Sequence, residues 1–140
     1  MDVEKKYNEG DRSIRTIVDY AISLKNQGKS EEAIGVLSEG IERYPESSLL
    51  FTLLGKIYVE NGDYDRAINF LKKAHDLDRF NYQAVENLIV CAEKLGLQRV
   101  ADHYSKIAYY LFPDGRRLSD SLPGLDELHR IVKEERDLIE

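Results

Sequence analysis

Two sets of small residues recur in this sequence at an interval of 34 residues, and this interval limits the architectures open to the chain. The sets are Gly28, Gly62 and Gly96, and Ala33, Ala67 and Ala101. Glycine and alanine serve different structural purposes, so their common register indicates an internal repeat. A repeat of about 20 to 50 residues is typical of arrays in which one supersecondary unit stacks on the next.

Two apolar segments with helical spacing flank the glycine of each period. In the second period, Phe51, Leu54 and Ile57 keep to one face of a helix. Gly62 stands where that helix would end in a left-handed residue, and Asp63 suits the N-cap of the next helix. The apolar residues of this next helix are Tyr64, Ala67, Ile68, Leu71 and Ala74. Each period therefore predicts a helical hairpin.

The alanine near the start of each second helix has a packing explanation. Two helices joined by a tight turn approach most closely near that turn, and a larger side chain would separate them. A single hairpin cannot bury both of its faces, so consecutive hairpins stack on one another. The pattern predicts a continuous array of three hairpins.

The second period carries a motif that resembles the tetratricopeptide repeat. It reads Phe51-x-x-Leu54-Gly55-x-x-Tyr58, followed by Ala67-x-x-x-Leu71. Looser copies precede and follow it, and the three units span residues 14–47, 48–81 and 82–115. The resemblance implies an all-α fold, a right-handed α-solenoid of three antiparallel helical hairpins with a C-terminal helix.

The third unit departs from this pattern in its second helix. Asp102 and Ser105 stand at the positions of Ile68 and Leu71 in the second unit. We therefore expect this helix to present a rotated or more polar face.

The two ends of the chain lie outside the repeat. Residues 1–13 form a polar N-terminal arm that the repeat does not account for and that we expect only a partner to order. Residues 116–140 form a linker and a final amphipathic helix, since Pro123 and Gly124 interrupt any fourth hairpin. The apolar stripe of this helix comprises Leu125, Leu128, Ile131, Val132, Leu138 and Ile139. It predicts an intramolecular cap on the last hairpin, with dimerisation through the same helix as the alternative.

Composition argues against several classes of function. The net charge of -6 disfavours general binding to nucleic acid, which requires clustered Lys and Arg. No segment approaches the roughly 18 consecutive apolar residues of a membrane helix, and the first 13 residues are too polar for a signal peptide. We therefore expect no membrane insertion and a cytoplasmic location.

The residues that usually carry chemistry are scattered. The sequence contains neither a glycine-rich phosphate loop nor a nucleophile elbow, so we expect no enzymatic activity and no cofactor. His75, His103 and His129 are isolated, which favours packed or rim histidines over a metal site. Cys91 is the single cysteine and is predicted to be a small buried hydrophobe.

The resemblance implies that the first helix of every hairpin lines a concave groove that binds a protein or peptide partner. The candidate groove residues are those of each first helix that do not face the hairpin partner. They are Arg15, Val18, Ile22 and Lys25 in the first unit, Leu49, Thr52, Lys56 and Val59 in the second, and Gln83, Glu86, Val90 and Glu93 in the third.

The apolar members of this set are the most informative, because exposed hydrocarbon in a groove is typical of a surface that a partner covers. The alternative is that Val18, Ile22, Val59 and Val90 pack against the termini or adjacent helices of the same chain. The charged members are unevenly placed, with cations toward the first hairpin and carboxylates on the third. Such a distribution either orients a ligand or is an ordinary solvated mixture.

Some tetratricopeptide proteins grip the C-terminal carboxylate of heat-shock chaperone tails with a clamp of Lys, Asn and Arg. Where the resemblance places these donors, this sequence has Val18, Ile22, Leu53, Gln83 and Asn87. Without clustered donors, the chain is not expected to bind such a tail. The leading prediction is an adaptor or scaffold that binds another partner segment. The alternatives are a module that self-associates through its C-terminal helix and a secretion-type chaperone.

Overall fold

A computed structural model of the chain describes residues 2–112 and, in addition, Arg130, Lys133, Glu134 and Leu138. Residues 2–112 contain helices and no strands, which confirms the all-α prediction. The helices are α1 (Val3–Asn8), α2 (Ile14–Asn26), α3 (Ser30–Arg43), α4 (Ser48–Glu60), α5 (Tyr64–Leu77), α6 (Tyr82–Lys94) and α7 (Gln98–Leu111).

Helices α2 to α7 pair in sequence as three hairpins, each closed by a tight turn. The turns contain Gly28, Gly62 and Gly96, with φ angles of 78°, 78° and 73°. Only glycine adopts this left-handed conformation without a steric penalty, so the predicted helix ends are confirmed. Asp63 caps α5 as predicted, since its side chain accepts a hydrogen bond from the Arg66 backbone N–H at 3.3 Å.

The core runs between the hairpins as well as within them. Leu37 of α3 is fully buried with Leu50 and Leu54 of α4, which joins the first hairpin to the second. Leu71 of α5 and Leu88 of α6 are equally buried, which joins the second hairpin to the third. Each hairpin therefore depends on its neighbour for burial, as expected of a repeat array.

The N-terminal arm, which was expected to need a partner for its order, contains helix α1, and this helix docks on the first hairpin. Tyr7 is buried, and its ring centroid lies 4.6 Å from that of Tyr20 in α2. The Tyr7 hydroxyl donates to Glu39 Oε2 of α3 at 2.8 Å. The Arg12 guanidinium lies 3.6 Å above the Tyr7 ring, a cation–π contact. One aromatic residue thus anchors the arm, which mean polarity could not reveal.

Helix α7 presents a rotated face, as the departure in the third unit suggested. Asp102 and Ser105 are exposed, whereas His103, Tyr104 and Ile107 are buried. Tyr104 meets His75 of α5 edge to face, with ring centroids 5.8 Å apart.

Most of the predicted C-terminal helix falls outside the described residues. Among those described, Glu134 Oε2 lies 3.4 Å from Lys106 Nζ and 3.7 Å from His103 Nδ1, both on α7. Burial acts to raise the pKa of Glu134, but the hydrogen bond and charge of Lys106, with the charges of Arg130 and His103, together lower it. The choice between a cap and a dimerisation helix stays a prediction.

Candidate functional site

The candidate groove lies on the first helices α2, α4 and α6, where the structure places all twelve predicted residues. Six of them are exposed: Arg15, Ile22, Leu49, Gln83, Glu86 and Glu93. Another five are half-buried: Val18, Lys25, Lys56, Val59 and Val90. Only Thr52 is fully withdrawn from the surface.

A depression of about 210 Å³ separates α2 from α4, and we call it the α2–α4 depression. Its lining residues are Ala21, Ile22, Lys25, Leu37, Leu53, Lys56 and Ile57. Its floor is formed by the apolar residues Ala21, Leu37 and Ile57, which are at most 3% exposed. Ile22 and Leu53 form the apolar part of the rim, on either side of the floor. The structure therefore brings three predicted groove residues together in one concave feature.

The two lysines at the rim of the depression differ in their surroundings. Lys25 Nζ on α2 lies 3.2 Å from Glu60 Oε1 at the end of α4, an ion pair that links the two hairpins. Within the part of the chain that the structure describes, Lys56 has no ion-pair partner. Among the described residues, the depression thus carries one positive charge that is paired and one that is not.

Two of the three valines of the predicted set pack against the core of the chain itself. Val18 packs against the buried cluster of the first hairpin, and Val59 packs against the cluster shared by the second and third. This agrees with the alternative reading of these two residues. Ile22 and Leu49, at 39% and 47% exposure, are the most exposed apolar members of the set.

The prediction that Thr52 lines the groove is wrong. Its side chain is buried at 2% exposure and faces the α5–α6 connection. The Thr52 hydroxyl donates to the Ser48 carbonyl at 2.8 Å and accepts from Asn81 Nδ2 at the same distance. Asn81 also caps α6 through the Ala84 N–H. A helical register places Thr52 on the groove face, but no local signal reveals a hydrogen bond to a residue 29 positions away.

The charges along the three first helices change sign from one end to the other. Lys25 and Lys56 are at the α2–α4 depression, whereas Glu86 and Glu93 of α6 are exposed. The hydrogen bond between Tyr82 and Glu86, and in second place the negative charge of Glu86, raise the pKa of the Tyr82 hydroxyl. Arg15 contributes less to this pattern, because Asp19 one turn later lies 3.9 Å away.

A second apolar surface lies beside the first turns of α4 and α6, and of its exposed apolar residues only Leu49 was predicted from the sequence. Leu49, Phe80 and Tyr82 are exposed there around a cavity of about 350 Å³. Asp78 and Gln83 also line this cavity. Phe80 lies in the connection between repeats, which helical periodicity does not cover.

Cys91 is fully buried in α6, as predicted. Burial raises the pKa of its thiol to about 11. A thiol that stays protonated is a poor nucleophile, so Cys91 is a packing residue. Among the described residues, no three His, Cys, Asp or Glu side chains are grouped as a metal site would require. The same residues include no helix long and apolar enough to span a membrane.

Comparison with solved structures shows the fold. The second and first tetratricopeptide domains of Spaghetti (RPAP3), each bound to the HSP90 peptide SRMEEVD, share 21% and 18% identity with this chain at TM-scores of 0.64 and 0.65. The matches cover 74% and 89% of this chain and 94% of each domain. MamA MSR-1 C2 is similar at 20% identity and a TM-score of 0.64, over 76% of this chain and 61% of its own.

Comparison of sequences identifies the repeat. No curated protein gives a significant match to the chain. The family model described as tetratricopeptide repeat matches residues 19–82 and, again, residues 52–102, which together exceed half of the chain. With three glycine-closed hairpins stacked through a common core, the chain belongs to the tetratricopeptide repeat family.

Proposed function

We propose that this protein is a non-catalytic interaction module, an adaptor or scaffold, that holds a segment of a partner protein against α2, α4 and α6. The observation that carries the proposal is the α2–α4 depression, an apolar floor open to solvent between two first helices. Solvent-exposed apolar concavities are typical of surfaces that a partner covers. The Spaghetti domains of similar fold, which are bound to a peptide, support the same mode of action.

A micromolar affinity requires contacts beyond the two most exposed apolar residues of the groove. Burying one large aliphatic side chain releases about 1.5 to 3 kcal/mol before the cost of ordering the ligand. A micromolar complex needs about 8 kcal/mol net. The most exposed apolar members, Ile22 and Leu49, cannot supply this alone, so a partner bound with this affinity must make further contacts along α2, α4 and α6.

The proposed partner is not a chaperone tail held by its terminal carboxylate. Val18, Ile22 and Leu53 offer no hydrogen-bond donor from their side chains. Asn87 already donates to the Gln83 carbonyl at 2.8 Å. A buried carboxylate needs several charged or amide donors around it, and this surface does not present that cluster.

The experiment that tests the function compares the proteins captured by the wild type and by Ile22→Glu. Because Ile22 is 39% exposed, a carboxylate there leaves folding intact while placing a charge in the depression. Tyr109→Glu is the matched control, since Tyr109 is 74% exposed on α7, away from the first helices. We expect partners to be lost with Ile22→Glu and retained with Tyr109→Glu, with helicity unchanged by circular dichroism.

Two results would contradict the proposal. One is retention of every captured partner by Ile22→Glu. The other is a mass that rises with concentration in light scattering while neither substitution changes the captured proteins. The second result would move the function to self-association through the C-terminal segment.

A further inference from the structure

We infer that the partner segment is internal to its own chain and inserts one large apolar side chain into the α2–α4 depression, with acidic residues flanking this anchor. The inference rests on the proposed function and specifies the chemistry of the ligand. It follows from the volume, the lining and the charge of the depression.

The volume of the depression selects a single anchor. An apolar cavity of about 150 Å³ holds a benzene molecule. The depression, at about 210 Å³, therefore has room for one leucyl or phenyl side chain and not for two. The apolar floor of Ala21, Leu37 and Ile57 offers an inserted side chain no hydrogen-bonding partner, so an apolar group is preferred there.

The charge of the rim selects the flanking residues. The side-chain charges that line the depression are the ammonium groups of Lys25 and Lys56. Glu60 already compensates Lys25 at 3.2 Å, whereas Lys56 has no ion-pair partner among the described residues. A carboxylate beside the anchor would meet Lys56 from the solvent side, while a cation there would be repelled.

The third hairpin limits how far the acidic character of the partner extends. Glu86 and Glu93 are exposed on α6 and would repel a carboxylate that passed over them. The part of the ligand that crosses α6 is therefore neutral or basic. This asymmetry fixes the direction in which the segment binds, with its acidic portion over α2 and α4.

A terminal carboxylate gives the ligand no advantage on this surface. Lys56 supplies a single point charge, without the planar fork or the converging amides that select a carboxylate group by geometry. Side-chain carboxylates of Asp or Glu satisfy Lys56 as well as a chain end does. An internal segment therefore fulfils every requirement of the site.

The test selects short random peptides against the purified full-length chain. One library displays its peptides with both ends attached, and a second library leaves the C-terminus free. We expect both to enrich the same motif, a large aliphatic or aromatic residue with Asp or Glu nearby. On Lys56→Glu the flanking residues should become Lys or Arg, because the sign of the rim charge is reversed.

Lys73→Glu is the matched control, since it makes the same charge change at an exposed position of α5. It should enrich the same motif as the wild type. The strongest peptide, synthesised with a free and with an amidated C-terminus, should bind equally in both forms. Ile22→Glu should weaken its binding by at least about tenfold, the cost of losing burial of one aliphatic side chain.

Three results would overturn the inference while leaving the proposed function intact: enrichment only from the library with free C-termini, a motif without an apolar anchor, or identical motifs on the wild type and Lys56→Glu. In each of these cases, binders that Ile22→Glu still loses would show that the groove captures a different class of segment. Failure of both libraries to enrich any peptide on the wild type would overturn both proposals.

Discussion

Gly55 of α4 lies directly against Leu71 of α5, at the point where the two helices of the second hairpin meet. A methyl group on the Gly55 Cα would lie 2.6 Å from Leu71 Cγ and 2.8 Å from Leu71 Cδ2. Such distances are far below van der Waals contact, so a side chain at Gly55 would force the two helices apart. The glycine of the repeat motif is therefore a packing requirement.

Gly55→Ala is expected to lower the free energy of unfolding by about 1 to 3 kcal/mol, as overpacking a core does. The higher helix propensity of alanine, worth about 1 kcal/mol, offsets only part of this. Gly35→Ala is the control, because it lies on the exposed face of α3 with nothing within 4 Å of an added Cβ. It should raise stability by about 0.5 to 1 kcal/mol. Urea denaturation measures both effects. If the unfolding midpoints of Gly55→Ala and Gly35→Ala shift in the same direction, the packing role of Gly55 is refuted.

Asn81 is expected to hold the second and third hairpins together, because it caps α6 while its amide donates to Ser48 Oγ and Thr52 Oγ1 at 2.8 Å each. Asn81→Ala should cost about 2 kcal/mol from the lost cap and the lost interhelical bonds. Asn81→Ser keeps a capping oxygen but is too short to reach α4, so it should cost about half as much. Thermal unfolding that leaves Asn81→Ala as stable as the wild type would exclude this role.

The buried thiol of Cys91 is expected to make stability depend on alkaline pH. Burial raises its pKa from the ordinary 9.0 to about 11. The unfolded chain therefore releases the proton first as the pH rises, and stability falls between about pH 9 and pH 11. The loss attributable to the thiol is of order 2 kcal/mol. Subtracting the unfolding free energy of Cys91→Ala from that of the wild type at each pH removes the contribution of titrating Tyr and Lys. Parallel profiles of unfolding free energy against pH for the two proteins would contradict the prediction.

Tyr7 is expected to control the docking of α1. Tyr7→Ala removes the contacts with Tyr20 and Arg12 together with the hydrogen bond to Glu39, and should cost about 2 to 4 kcal/mol of local stability. Tyr7→Phe loses only the hydrogen bond and should cost about 1 kcal/mol. Amide hydrogen exchange in α1 measures both effects. Equal protection in the two variants would show that the ring does not anchor the arm.

The candidate site was predictable in part. Helical register correctly placed Ile22, Lys25 and Lys56 on first helices, and the structure brings them to one depression. It did not reveal that Leu53 completes the rim, because two helices at a defined separation create the concavity. From the sequence, Leu53 was notable only because it stands where the chaperone-tail clamp would have an Asn.

The sequence by itself determined the three hairpins and their order. A left-handed glycine such as Gly62, a capping carboxylate such as that of Asp63, and apolar spacing along each helix are short-range properties. These properties depend on residues a few positions apart, so they can be predicted without a structure.

Only the tertiary structure decided the burial of Thr52, the docking of Tyr7 and the residue that the rotated face of α7 meets. The first two depend on hydrogen bonds between residues 29 and 32 positions apart, Asn81 to Thr52 and Tyr7 to Glu39. The third depends on Tyr104 meeting His75 across two helices. Partners of this kind are chosen by the stacking of whole hairpins, because the free energy gained by burial depends on which surfaces meet in space.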